Sequence, residues 1–265
     1  MSQILITGGT GLLGKSLASI LKENLLPYTL ASRSKPPGGA PWTPLDLVTG
    51  EGIEQAVAGK RIIFHLASAT RKPSRQADVE GTKRLLEAAA KNGVAHFIFI
   101  SIVGIEKVPM KYYKLKLEAE REIIASGLPY SILRATQFHE FVDFLLRKTL
   151  AAPFAWLPKK GLVQPIETRA AAWKLFQLMK GRPLNGTVEI AGAEILTAGE
   201  LAKSWLKIQG KRRLILNLPP IGSALRAIAA GGLTKKEAAV DCQTWQDWLA
   251  EKYASKHDLS NLFQL

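Results

Sequence analysis

The chain has 265 residues, 47% of them hydrophobic, one cysteine, and a formal net charge of +14. That length supports a full core in one large or two small domains, and the single Cys242 excludes an intramolecular disulfide. No apolar run is long enough to span a bilayer, and MSQILITGGT lacks the basic and small-residue pattern of a signal peptide, so a cytoplasmic protein in a reducing setting is expected.

In chain order, QILIT (3–7) reads as a strand, followed by a glycine-rich turn and a helical pattern from Leu12 to Glu23. YTLAS (28–32) is a second strand, KPPGGAP (35–41) a loop, and PLDL (44–47) closes a short third segment. RIIFHLA (61–67) is a strand and DVEGTKRLLEAAAKNG (78–93) a helix stopped at Gly93. HFIFIS (96–101) is a strand, residues 112–125 a helix, and SGLPYSILRAT (126–136) turns into a sixth strand. Buried β-branched and aromatic runs alternating with helices predict an α/β, Rossmann-type, doubly wound parallel sheet with helices on both faces. Right-handed crossovers bring the C-terminal strand ends to one edge, where ligands bind in such folds.

Beyond residue 137 the alternation loosens. A helix ends before Pro153, a short strand covers 162–166, a helix 168–179 and a strand 187–192. Thr197 with Glu200 three residues on predicts a capping box. Residues 1–150 are therefore expected to form a dinucleotide-binding domain. Residues 151–265, which hold five of the six tryptophans, are expected to form a smaller α/β substrate lobe interleaved with the sheet.

TGGTGLLG (7–14) sits between the first strand and first helix. Its glycines permit a tight turn, close approach of a pyrophosphate, and close helix–strand packing, while the helix N-terminus attracts the phosphates. Gly8, Thr10, Gly11, Leu12, Leu13 and Gly14 are the candidate contacts. The second strand ends Ser32-Arg33-Ser34-Lys35, without the acid that would bind the ribose hydroxyls of NAD. Arg33 can instead face a 2′-phosphate with its planar donor fork, so NADP(H) is preferred over NAD(H). Asp46, with Leu47, is a candidate for the adenine amino group.

In KYYKLKLEAEREII (111–124), Tyr112, Leu115, Ala119 and Ile123 share one helical face. Lys116 falls inside that apolar arc, and Glu120 lies one turn on. A lysine is costly to bury unless it is paired or used, so Tyr112-x-x-x-Lys116 reads either as a catalytic pair or as part of an i,i+4 ladder with Glu120.

Taken together, these residues resemble the short-chain dehydrogenase/reductase superfamily, in its atypical and extended-like branch (NmrA-like, or NAD(P)-dependent epimerase/dehydratase-like). The glycine loop matches the Thr-Gly-x-x-Gly-x-x-Gly signature. Asp78-Val79-Glu80-Gly81-Thr82 stands where the family has Asn-Val-x-Gly-Thr. Leu133-Arg134-Ala135-Thr136-Gln137-Phe138 matches the segment near the nicotinamide, making Ala135, Thr136 and Phe138 candidate contacts. Leu66-Ala67-Ser68-Ala69 matches the stretch flanking the adenosine ribose. The resemblance implies a catalytic set of Ser101, Tyr112 and Lys116. Asp78 stands in for the family asparagine that helps hold a water near the lysine. Lys116 would also bind the nicotinamide ribose and lower the pKa of Tyr112, and Tyr112 would protonate a carbonyl held by Ser101.

The resulting expectation is an oxidoreductase acting on a small carbonyl or quinone-type molecule. The alternatives are a non-catalytic NADP(H)-binding redox sensor and an NAD-dependent sugar-nucleotide epimerase or dehydratase. Phe138, Phe141, Phe154, Trp156 and Trp173 are candidates to line an apolar pocket. The basic residues stand mostly in ones and twos (Arg71-Lys72, Lys159-Lys160, Lys211-Arg212-Arg213, Lys235-Lys236). They predict a solvated basic surface and no nucleic-acid partner, and the four histidines show no metal-ligand spacing.

Overall fold

A computed structural model of the protein describes residues 3–68 and 74–262, with side chains as far as residue 254. Ala69 and the Arg71-Lys72 pair lie outside the described residues. The chain divides into two compact units. One runs through Ala135 and includes Thr168–Glu189; the other comprises Thr136–Glu167 and the chain from Ile190 onward.

In chain order the elements of the first segment are β1 (Ile4–Thr7), α1 (Leu12–Glu23), β2 (Tyr28–Ser32), β3 (Trp42–Pro44), α2 (Ile53–Val57) and β4 (Ile62–His65). A π-helical turn, Gln76–Glu80, then runs into α3 (Gly81–Lys91), followed by β5 (His96–Ile102), α4 (Lys111–Ala125) and β6 (Tyr130–Ala135). The rest of the chain forms α5 (His139–Thr149), β7 (Phe154–Leu157), β8 (Leu162–Val163), α6 (Thr168–Lys180), β9 (Gly186–Ile190), β10 (Leu196–Thr197), α7 (Ala198–Ile208), β11 (Leu214–Asn217), α8 (Ser223–Ala229) and α9 (Trp245–Leu262).

Among the described residues the first unit holds a seven-stranded sheet ordered β3-β2-β1-β4-β5-β6-β9. Strands β1 to β6 pair in parallel. The order reverses between β1 and β4, whose last residues Thr7 and His65 are register partners. That reversal opens the crevice in which doubly wound sheets bind ligands. The strands are apolar on both faces: on one, Leu5, Ile63, Phe97 and Phe99 are buried against Leu85, Ala89, Ala119 and Ile123 of α3 and α4, and on the other Ile6, Phe64 and Ile98 are buried as well. Pro44 is tolerated because β3 is an edge strand.

The boundary expected at residue 150 falls instead after Ala135, and the later helix α6 and most of strand β9 return to the first unit. Packing explains the return. Arg169 of α6 pairs with Glu23 of α1 at 2.7 Å, and the backbone N–H of Asn185 donates to the Tyr130 carbonyl, occupying an edge that β6 would otherwise leave open.

In the second unit β8 pairs antiparallel with β10, and β7 parallel with β11. Val142, Leu146, Ala155, Leu157, Trp205, Trp245 and Leu249 form its core. Within that core Asp143 accepts from Trp205 Nε1 at 2.7 Å, Tyr253 Oη at 2.5 Å and Lys252 Nζ at 3.0 Å, tying α5, α7 and α9 together. The capping box of α7 is present, with Glu200 N donating to Thr197 Oγ1 and Thr197 N to Glu200 Oε2. Strands expected over 162–166 and 187–192 are shorter, and β7, β11, α2, α8 and α9 carried no clear periodicity.

Candidate active site

The first functional element is the glycine turn between β1 and α1. Gly8 has a left-handed φ of 71°, and a Cβ there would stand 2.6 Å from the Ala67 backbone nitrogen. Gly14 lets α1 press onto the turn, since a Cβ would lie 2.4 Å from the Gly8 carbonyl. Gly11 is different: exposed, at the N-cap of α1, with only the Gly8 carbonyl 3.3 Å from a virtual Cβ. No side chain caps α1, and no acid occupies its first turn. Its N-terminal donors and positive dipole are thus left for an outside anion, which fits a dinucleotide pyrophosphate. Thr10 and Leu12 are exposed at this end, whereas Leu13 is buried in the core and helps to anchor the helix.

At the end of β2, Arg33 and Ser34 are exposed. Ser32 is engaged locally, donating to the Ser34 carbonyl at 2.7 Å and accepting from Trp42 Nε1 at 3.0 Å. Asp46 builds its own turn, its Oδ1 accepting from Val48 N at 2.7 Å. The Leu47 carbonyl accepts from Arg84. Leu66, Ala67 and Ser68 leave β4 beside the glycine turn, and Leu66 N donates to the Thr7 carbonyl.

Helix α4 buries Tyr113, Leu115, Lys116, Ala119, Glu120 and Ile123. Lys116 is 3% exposed, its Nζ 3.8 Å from the centroid of the Phe99 ring. Burial lowers its pKa to about 8, while the charges of Asp78 and Glu120 favour the protonated form. Glu120 is held from another direction: Arg134 grips it with two bonds of 3.0 and 2.6 Å and reaches Glu106 as well. The i,i+4 ladder reading therefore gives way to a buried Glu120–Arg134 fork.

Tyr112 Oη lies 3.0 Å from Ser68 Oγ, and Ser68 Oγ donates to Asp78 Oδ1 at 2.8 Å. Ser68 has one proton, so while it serves Asp78 the tyrosine hydroxyl donates to Ser68. The π-helical turn carries Asp78, 5% exposed, which also accepts from Ser74 N at 3.3 Å. Such turns inside α-helices commonly re-aim side chains at functional sites.

A second chain braces the first. Thr7 Oγ1 lies 2.7 Å from His65 Nδ1, His65 Nε2 lies 3.0 Å from Thr82 Oγ1, and Thr82 donates to the Asp78 carbonyl at 2.7 Å. This network assigns the proton to Nε2, with Thr7 donating to Nδ1. Burial, and then the charge of Lys116, push the His65 pKa down to about 3, so the ring is neutral.

One expectation differs from the geometry, the direction of the Tyr112 pKa. Ser101 is 3% exposed and its Oγ has no hydrogen-bond partner, while Tyr112 is met by Ser68. An orphaned buried hydroxyl is costly and suits a site completed by a ligand. The Tyr112 pKa is raised rather than lowered: burial raises it, the Ser68 bond lowers it, and the Asp78 charge raises it again. Tyr112 is therefore protonated at neutral pH and able to act as an acid. Tyr113, pushed up to about 12 chiefly by burial, lies with its ring 6.0 Å from that of Tyr112.

Ala135 is buried at the end of β6, where Val103 N donates to its carbonyl. In the second unit, Thr136 Oγ1 accepts from Gly192 N at 3.2 Å, and Phe138 bridges to Ile166. Gln137, in the same segment but not among the expected contacts, has both of its amide atoms buried without a hydrogen-bond partner. The five aromatics do not share one unit. Trp173 packs at 5.2 Å on Phe176 in the first, while Phe154 and Trp156 are exposed on β7 in the second. Among the described residues no group of His, Cys, Asp and Glu could hold a metal, and no helix is long and apolar enough to cross a membrane.

Comparisons with known proteins bear on the family and the fold. The divinyl chlorophyllide a 8-vinyl-reductase of Arabidopsis thaliana is 34% identical over 159 residues, 56% of this chain and 38% of that protein. The chain spans less than half the length of the curated relatives it matches. An NADPH-dependent quinone oxidoreductase of Escherichia coli, solved with NADPH, superposes with a TM-score of 0.78 at 18% identity, covering 94% of this chain and 99% of that one. A nucleoside-diphosphate-sugar epimerase from Staphylococcus aureus superposes with a TM-score of 0.77 at 21% identity, with the same coverages. At these identities the likeness establishes a shared fold. Residues 8–141, half of the chain, match the family described as NAD(P)H-binding, and the chain is a member of that family on the short-chain dehydrogenase/reductase fold.

Proposed function

We propose that the protein is an NADP(H)-dependent oxidoreductase that reduces a small carbonyl or quinone-type substrate, with Tyr112 as the proton donor. The observation that carries the reading is the line Tyr112 Oη–Ser68 Oγ–Asp78 Oδ1 beside the buried Lys116. NADPH, when bound, supplies the hydride. Gly8, Gly11 and the α1 N-terminus would hold its pyrophosphate, and Arg33 its 2′-phosphate. Tyr112, protonated at neutral pH, gives its proton to the substrate oxygen. Ser68 can then turn its hydroxyl from Asp78 to hydrogen-bond the tyrosinate, Asp78 keeping its bond from Ser74 N, until Tyr112 regains a proton from solvent. The cation of Lys116 favours the negative charge left on Tyr112, and the orphaned Ser101 hydroxyl is available to a substrate oxygen. A cofactor-bound sensor would need no such line of proton carriers.

The test is steady-state NADPH oxidation against aldehydes, ketones and quinones, with Tyr112→Phe alongside wild type. Loss of at least about 100-fold in kcat, with NADPH affinity kept within a few-fold, is expected. Equal turnover by the two proteins would refute the assignment.

A further inference from the structure

The second unit carries a surface that the redox chemistry does not use. Strand β7 alternates in and out, burying Ala155 and Leu157 and exposing Phe154 (59%) and Trp156 (56%). Strand β11 lies beside it in parallel register, pairing Leu214 with Phe154 and Leu216 with Trp156. Register partners in a sheet share a face, so these four side chains form one continuous apolar face. Leu214 is 62% exposed, and Ile221, past the Pro219-Pro220 pair, is 72% exposed.

Cations line the β11 edge of this strand pair, over Ile215, which turns to the side opposite Leu214 and Leu216. A cleft of about 480 Å³ along the β11 edge is lined by Lys159, Lys203, Lys207, Lys211, Arg212 and Arg213, over a floor of Leu206 and Ile215, and no carboxylate lines it. Arg212 and Arg213 directly precede the exposed Leu214, and Lys159 follows Leu157 at the other end of β7. Helix α8, between Ile221 and the following Gly231-Gly232, buries none of its residues, and residues 214–234 contain no acid.

We propose that this face docks onto an anionic lipid bilayer surface. Aromatic and aliphatic side chains standing together in water are unfavourable unless covered. A tryptophan and a phenylalanine suit the headgroup–acyl boundary, and lysines and arginines beside them suit anionic headgroups. Nucleic acid would use the cations and leave the apolar face bare, and a neutral protein partner would use the face and leave the cations unmatched. The net charge of +14 steers the whole chain toward such a surface. The proposal is independent of the oxidoreductase reading.

Vesicle flotation at 0.15 M salt (~8 Å Debye length) tests it, with phosphatidylcholine vesicles compared with vesicles that also contain phosphatidylglycerol. Wild type should float with the anionic vesicles and stay behind with the neutral ones. Phe154→Ser/Trp156→Ser and Lys207→Glu/Arg212→Glu should each lower the partition coefficient at least about tenfold, given roughly fivefold per surface cation. Lys22→Glu/Lys91→Glu, which reverses two cations in the first unit, should change it less than about threefold. Circular dichroism and melting curves matching wild type establish that the variants are folded. Three results would overturn the proposal: no flotation with anionic vesicles, equal loss in the first-unit control, or a wild-type dimer in sedimentation that Phe154→Ser/Trp156→Ser abolishes, which would make the face a contact between copies.

Discussion

Acidification should destabilise the protein through His65. The folded ring is neutral, with its pKa near 3, against an ordinary value of 6.5 in the unfolded chain. Below pH 6.5 the unfolded state binds a proton that the folded state refuses, so stability falls as pH falls, down toward the folded pKa. Between pH 7.5 and 5.0 this amounts to about 1.5 pH units of linkage, or ~2 kcal/mol. His96 and His139, each lowered to about 4 chiefly by burial, add effects of the same sign. The assay isolates His65 by a double difference: urea unfolding of wild type and His65→Gln at both pH values. The constant cost of the substitution cancels, leaving a pH-dependent difference of ~2 kcal/mol between the proteins. A difference below about 0.5 kcal/mol would refute the neutral, doubly hydrogen-bonded ring, as would an imidazole NMR resonance of His65 titrating between pH 5 and 7.

Other measurements address separate parts of the site. Arg33→Ala should weaken NADPH binding about tenfold or more and NADH binding hardly at all, as titration calorimetry would reveal; equal losses would remove the 2′-phosphate role. Ser68→Ala should cut kcat about tenfold or more with NADPH affinity retained, and full activity would break the proposed line from Tyr112 to Asp78. Lys116 keeps its charge below about pH 8, so kcat/KM should fall above that pH, and Lys116→Arg should abolish this limb; a limb that persists belongs to another group. Asp143→Ala removes the shared acceptor of Trp205, Tyr253 and Lys252, and should cost roughly 2 kcal/mol in chemical denaturation; less than about 0.5 kcal/mol would mean that the helices hold without it.

The amino-acid sequence by itself determined the parallel sheet, the glycine turn and the inward place of Lys116. Each is written in local spacing: apolar runs of strand length, glycines three residues apart before a helix, and a 3.6-residue period that puts Lys116 among Leu115, Ala119 and Ile123. Tertiary structure alone decided the partners. Ser68 and Tyr112 are 44 residues apart in sequence and meet because β4 ends and α4 begins at the same edge of the sheet. Spacing named Ser101 for the substrate oxygen but could not show that Ser68, half-buried after β4, is the hydroxyl that meets the tyrosine. Glu120 answers to Arg134 rather than Lys116 because a planar guanidinium can bind a carboxylate with two bonds and a compact ammonium cannot. The exposed face of β7 and β11 was illegible for a similar reason. Strands of four residues carry too few periods to show a pattern, and only their pairing in register shows that Phe154, Trp156, Leu214 and Leu216 point the same way.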